Sequence, residues 1–179
     1  GTSSLLQRVV LQGVTLMDES VLMNTLSGLI GQQVTLVDLE KATQAIMESY
    51  RASGYLARAF LPPQKIADGT VIIQVVEGRF SSVRVEAGDP PARFDSDRAA
   101  RYLTSRQQPG QPFRSDAVER AMLLLNDLPG VQASATLDAG KNLGDTDLIL
   151  RLADGPRVDG FVDAGNNGAR STGEFQASA

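Results

Sequence analysis

The chain repeats itself. Shifted by 77 residues, the distance from Val76 to Ala153, the triplet Val76-Glu77-Gly78 falls on Ala153-Asp154-Gly155, and Arg84-Val85-Glu86-Ala87-Gly88 falls on Phe161-Val162-Asp163-Ala164-Gly165. Upstream of each Gly the same elements recur in the same order: a helical stretch, a turn with Gly, a strand, a polar turn with Gly and a second, more apolar strand. In the first copy these are Leu39 to Tyr50, Gly54, Tyr55 to Leu61, Asp68-Gly69 and Val71 to Val76. The second copy has Ala117 to Leu128, Gly130, Val131 to Leu137, Gly144 and Leu148 to Leu152. Such an ordered repeat confines the chain to copies of one supersecondary unit.

The unit can be completed from its caps and stripes. In the first copy a helix opens at Asp18, carries Val21, Leu22, Leu26 and Leu29 on one side, and stops at Gly31. A second helix starts near Thr35 to Asp38 and sets Leu39, Ala42, Ile46 and Tyr50 on one face, packed on a sheet, before Gly54 closes it. In the second copy Asp95 or Ser96 begins a shorter helix through Ala99, Ala100 and Leu103, and Val118, Ala121, Leu125 and Leu128 repeat the longer stripe. A strand precedes each helix pair, Gln7 to Leu11 and Val83 to Glu86. The unit is therefore β-α-α-β-β: the last two strands form an antiparallel hairpin, and the first joins through the helical crossover, beside the last. Val71 to Val76 and Leu148 to Leu152, the most continuously apolar runs, belong in the middle of their sheets. Tyr55 to Leu61 runs into Pro62-Pro63, and because proline cannot donate to a ladder, that strand belongs on an edge.

Composition removes most chemistry from consideration. The 179 residues include no His, no Cys and no Trp. Nucleophile systems built on His or Cys, His/Cys zinc sites, thiol redox and haem ligation by His are thereby excluded. With 17 basic against 21 acidic side chains and a net charge of −4, the chain has no dominant polyanion-binding role and no nucleic-acid partner. No apolar run is long enough to span a bilayer as a helix. Gly1-Thr2-Ser3-Ser4 lacks the basic and apolar regions of a signal peptide and reads as a trimmed start.

Weaker features have plain structural readings. Asp138 to Asp147 contains Gly-Lys and Asp-Thr-Asp but neither phosphate-loop nor calcium-loop spacing, so a polar hairpin turn explains it. Arg98 and Arg101 share a helical face with Arg106 nearby, offset by Asp95 and Asp97, as on a solvated face. Glu77 with Asp154, or Asp145 with Asp147, could serve as paired acids of a hydrolase, but their positions at repeat-equivalent turns suit structure better than catalysis. No catalytic residue, metal site, cofactor or small-molecule substrate is expected.

Two segments carry a family resemblance. Gly54-Tyr55-Leu56-Ala57-Arg58-Ala59-Phe60-Leu61-Pro62-Pro63-Gln64, followed by Asp68 to Gly78, resembles the first POTRA (polypeptide-transport-associated) domain of two-partner secretion transporters. These form the haemolysin secretion and activation family of the Omp85 superfamily. Pro112-Phe113-Arg114-Ser115-Asp116 and Leu125-Asn126-Asp127-Leu128-Pro129-Gly130-Val131 are similar to its second POTRA domain, and Asp163 to Gly168 with Ser171-Thr172-Gly173 resembles the opening strand of its β-barrel.

The resemblance implies an α+β fold of two tandem POTRA domains, 1–78 and 79–156, each a three-stranded mixed sheet with two helices on one face. A truncated first barrel strand at 157–179 follows. A truncated third copy is the alternative there, disfavoured because Gly165 to Gly173 is polar and Gly-rich where a helix should begin. The implied location is the periplasmic part of a Gram-negative outer-membrane protein. The implied partners are the unfolded N-terminal secretion domain of a secreted exoprotein and the protein's own β-barrel. The expected device is β-augmentation, in which the client adds a strand along Tyr55, Leu56, Ala57, Arg58, Ala59, Phe60 and Leu61, beside a groove lined by the helix Leu39 to Tyr50. Arg58 and Phe60 supply a polar and an apolar contact. A different Omp85 member, or a scaffold that only orients the barrel, are the competing readings.

Overall fold

The computed structural model describes residues 2–66 and 68–155, and the chain divides into two compact units at Gly78 and Arg79. The barrel strand expected at 157–179 lies outside the described residues.

The first unit opens with a short strand β1 (Ser4–Leu5) and the strand β2 (Arg8–Gln12). Helix α1 (Glu19–Leu26) follows, capped by the Asp18 carboxylate, which accepts from the Ser20 N–H at 3.0 Å, and a 3-10 turn carries the chain on to Leu29. After β3 (Gln33–Val34), Thr35 and Asp38 form a capping box: Thr35 N–H donates to Asp38 Oδ2 at 2.9 Å and Asp38 N–H to Thr35 Oγ1 at 3.2 Å. This starts helix α2 (Leu36–Ala52), whose Leu39, Ala42, Ile46 and Tyr50 are buried as their spacing predicts. Strands β4 (Ala57–Phe60) and β5 (Thr70–Glu77) complete the unit.

The sheet order is β2-β5-β4, with β2 parallel and β4 antiparallel to β5. Val71, Ile73 and Val75 of β5 therefore sit mid-sheet and, with Val9 and Leu11, meet the helical stripe. Gly13, which ends β2, has φ +93°, and a Cβ there would lie 2.1 Å from the Val75 carbonyl oxygen, so only glycine fits this approach.

The second unit repeats the plan. Strand β6 (Arg79–Ala87) leads to α3 (Ser96–Thr104), capped by Asp95, then α4 (Ser115–Asn126), β7 (Gln132–Ala139) and β8 (Asp145–Ala153). Its sheet order is β6-β8-β7, again parallel on one side of the central strand and antiparallel on the other. Leu148, Leu150 and Leu152 stand where Val71, Ile73 and Val75 do in the first unit. The β7–β8 connection is the expected polar hairpin, closed by Gly140 N–H donating to the Asp145 carbonyl at 2.8 Å.

Several boundaries differ from the sequence reading. The edge strand spans Ala57–Phe60, not Tyr55 to Leu61, because Tyr55 N–H donates to the Tyr50 carbonyl at 2.9 Å and Pro62 ends the other side. The first strand of the second unit begins at Arg79 rather than Val83, which buries Phe80. Helix α4 starts at Ser115 and gives way at Asn126, before Leu128. The pair β1 and β3, antiparallel through Ser4 with Val34 and Leu5 with Gln33, had no sequence signal, since two-residue strands show no alternation.

The Pro-Pro-Gln ending has its own logic. Gly78 N–H donates to the Leu56 carbonyl at 2.9 Å, so hydrogen-bonded pairs recur at every second residue from there, and Pro62 falls opposite Ile72 at a bonding position it cannot fill. The Gln64 side chain takes over, its Oε1 accepting from Ile72 N–H and its Nε2 donating to the Ile72 carbonyl, both at 2.8 Å. Replacing Gln64 with Ala strands both groups and should cost about 1 to 3 kcal/mol in urea unfolding. Gln64→Glu, which can accept but not donate, should fall between the two.

Candidate functional edge strand

The ladder phase that makes Pro62 awkward also decides which backbone groups of β4 are spent. Leu56, Arg58 and Phe60 turn their N–H and C=O groups toward β5, leaving the outward positions to Ala57 and Ala59. No hydrogen bond from another described residue reaches those four groups. The side chains alternate the opposite way: Ala57 and Ala59 are buried in the core, while Arg58 is exposed and Phe60 is 40% exposed. Arg58 and Phe60 therefore lie on the sheet face away from the core, not in a groove against α2. Tyr55 and Leu61 pack against the core, and Leu56 ends the ladder through its carbonyl. Of the seven residues singled out in the sequence, the structure thus gives Ala57 and Ala59 free backbone, and Arg58 and Phe60 open side chains.

The second unit treats its corresponding edge differently. On β7 the outward groups begin at Ala133, and the Asn126 side chain occupies both, with Oδ1 accepting from Ala133 N–H at 2.8 Å and Nδ2 donating to its carbonyl at 3.0 Å. Gln64 and Asn126 both lie in the segments that carry the family resemblance, but the role of their side-chain amides was not read from the sequence. The available signal was a polar amide at the helix end one short turn before a strand, and a Gln two residues past a ladder proline.

At the end of β5, Glu77 gathers a set of donors from the loop and helix beside it. Its carboxylate accepts from the backbone N–H groups of Thr15 and Leu16, each at 2.8 Å, from the Tyr50 hydroxyl at 2.6 Å, and from the Thr15 hydroxyl. It thereby ties the β2–α1 loop and the last turn of α2 to the end of the central strand. Burial pushes the Glu77 carboxyl up, but these donors outweigh it and hold the group below its ordinary value. Burial and the Glu77 carboxylate together raise the Tyr50 hydroxyl far above the usual tyrosine range. Glu77 is thus a structural clasp, as its place at a turn suggested. Asp145 is likewise engaged, with Arg79 at 3.3 Å and Asn142, and Asp147 accepts from Ser82 at 2.9 Å. Among the described residues no cluster of acidic side chains could hold a metal ion.

The family description "POTRA domain, ShlB-type" matches residues 5–78. These residues are a POTRA domain of the ShlB type. Over 159 residues, 88% of the chain, the sequence is 31% identical to the heme/hemopexin transporter protein HuxB of Haemophilus influenzae. Over 94% of the chain it is 27% identical to the outer membrane transporter CdiB of Escherichia coli. The chain spans 28% of the length of each of these relatives. Among solved structures, CdiB from E. coli matches 87% of the chain and is itself covered over 28%, with TM-score 0.65 and 23% identity. POTRA domains 1–3 of Omp85 from Anabaena match 84%, are covered over 66%, and give TM-score 0.58 at 19% identity. The chain is homologous to POTRA regions of two-partner secretion transporters, and its α+β architecture is that of POTRA domains in CdiB and Omp85.

Because Glu77 has a lowered pKa in the folded state, its contribution is fully present above the ordinary glutamate range and is lost as pH falls through the folded value. Glu77→Gln should cost the first unit about 1 to 3 kcal/mol at neutral pH, and the gap to the parent protein should shrink on acidification. Denaturant titrations of both proteins at about pH 7 and about pH 3 check this. A gap that persists at the lower pH would contradict it.

Proposed function

We propose that the chain is the periplasmic POTRA region of an outer-membrane two-partner secretion transporter, that it binds the unfolded secretion domain of an exoprotein by β-augmentation, and that it delivers the client to the transporter's own barrel. The observation that carries this reading is the open outward ladder of β4, at Ala57 and Ala59, in a chain homologous to outer-membrane transporters. A client strand laid there gains up to four backbone hydrogen bonds, about 2 to 6 kcal/mol before the cost of ordering the client. Binding of that strength is reversible, as a handover requires. Side chains of the added strand would lie beside Arg58 and Phe60 on the open face, giving a polar and an apolar neighbour without a sequence-specific pocket.

The Asn126 amide shortens the open edge of the second unit without removing it: it engages Ala133 alone, and the outward groups of Ala135 and Leu137 on β7 have no partner among the described residues. The relatives are transporters rather than enzymes, and the candidate acids are engaged in structure, so no reaction is assigned.

The phase of the ladder supplies a sharp test. Proline at Ala57 or Ala59 removes an outward donor without touching the β5 ladder, whereas proline at Arg58 breaks that ladder. Because Ala57 and Ala59 are buried, each proline variant is compared with the valine variant of similar bulk: Ala59→Pro should bind the exoprotein's N-terminal secretion domain about 2- to 10-fold more weakly than Ala59→Val in calorimetry, with Ala57→Pro/Ala59→Pro weaker still. Arg58→Pro should destabilise the first unit. Unchanged affinity in the double variant would overturn the site.

A further inference from the structure

The second unit carries a feature that strand capture does not use. Arg98, Arg101 and Tyr102 follow one face of α3, and with Ser105 at its C-terminus and Arg106 they line a solvent-open groove of about 330 Å³. The chain as a whole is acidic, yet none of these three guanidinium groups forms an ion pair with a carboxylate among the described residues. The nearby acids are otherwise placed. Asp95 caps α3 by accepting from the Arg98 N–H at 3.0 Å, and Asp97 makes no ion pair with any of the three. Arg114, by contrast, is paired with Asp116 at 2.7 Å.

Two of the three arginines are held before any ligand arrives. The Arg98 guanidinium lies 5.1 Å from the centre of the Phe94 ring, and Phe94 meets Tyr102 edge-on at 6.3 Å. Arg106 Nη1 donates to the Tyr102 carbonyl at 2.8 Å. Each guanidinium carries five N–H donors, so most remain unspent. Arg98 and Arg101 on α3 and Arg106 just beyond its end place three exposed like charges close together, an arrangement that attracts a multivalent anion.

We propose that this groove docks the phosphate headgroups of an anionic phospholipid surface and so holds the second unit against a membrane. A phosphate presents several charged oxygens to several guanidinium forks at once, and the Tyr102 and Ser105 hydroxyls can add donors; a planar carboxylate is satisfied by one fork. The groove is open, which suits a headgroup that remains part of a surface. The acidic remainder of the chain does not prevent approach, because charges beyond about 8 to 10 Å are screened at physiological salt. The proposal needs only a membrane nearby, which homology to outer-membrane transporters supplies, and does not depend on client capture.

The test is cosedimentation of the whole chain with phosphatidylcholine vesicles, with and without about 30% phosphatidylglycerol, alongside titrations with inorganic phosphate and with polyglutamate. Binding is expected only to the anionic vesicles, falling as salt rises, and Arg101→Ala and Arg106→Ala should each lower the partition coefficient about fivefold. Arg101→Ala removes no hydrogen bond or ion pair within the described fold, so its circular dichroism melt should match the parent and separate docking from folding. Absence of binding to anionic vesicles, or variants that bind like the parent, overturns the proposal. Saturable binding of free phosphate without vesicle binding limits the groove to a small anion, and binding of polyglutamate alone assigns it to an acidic peptide; either result also overturns it. Failure here leaves the Ala59→Pro result untouched, since the two experiments read different units.

Discussion

A three-stranded sheet has one strand bonded on both sides and two that are not. The edge proposed for client capture follows from which strand takes the middle. β5 takes it in the first unit because Val71, Ile73 and Val75 are its most apolar alternating set, and because β2 before it and β4 beside it can pair on either side. Once β5 is central, β4 must be an edge, and its backbone must leave some groups outward. The Glu77 clasp then fixes the end of that central strand to the helix and loop that cover it.

The two units handle the resulting edges by different means. β4 is ended by a proline at a bonding position, with the Gln64 amide standing in for the missing backbone, so the ladder stops cleanly and the outward groups of Ala57 and Ala59 are bounded but uncovered. β7 has the Asn126 amide on its first outward residue. The opposite edge of the second sheet is partly covered as well, because Phe80 of β6 exchanges bonds of 2.8 Å with Gly110 and Gln111. Side-chain amides thus do here what further strands do in larger sheets. The outward groups of Ala57 and Ala59 on β4 stay uncovered among the described residues, and there an extended chain can be received.

Much of this was legible in the sequence, and the reasons are specific. The repeat gave the order of elements, the crossover rule put the first strand beside the last, and Pro62-Pro63 put the Tyr55 to Leu61 segment on an edge. The helical stripe of the first unit, Leu39, Ala42 and Ile46, reappears as Val118, Ala121 and Leu125, all buried. What escaped the sequence was set by geometry of a few residues. Whether Arg58 faces the helices or solvent depends on ladder phase, which a single bond from Gly78 to Leu56 decides. The amides of Gln64 and Asn126 look like ordinary polar residues until the chain has folded around them. Arg98, Arg101 and Arg106 are exposed, as their reading as a solvated face expects, but the offset by Asp95 and Asp97 is not made through ion pairs among the described residues.

A client chain that adds itself to the outward side of β4 must protect the amides it bonds. Residue-resolved amide hydrogen exchange reads it directly. In the free chain the amides of Ala57 and Ala59 should exchange quickly, while those of Arg58 and Phe60, bonded to β5, are protected. Adding the exoprotein's secretion domain should slow Ala57 and Ala59 and leave Arg58 and Phe60 nearly unchanged. Protection that appears on β7 instead, or no change at Ala57 and Ala59 under saturating client, would contradict the account.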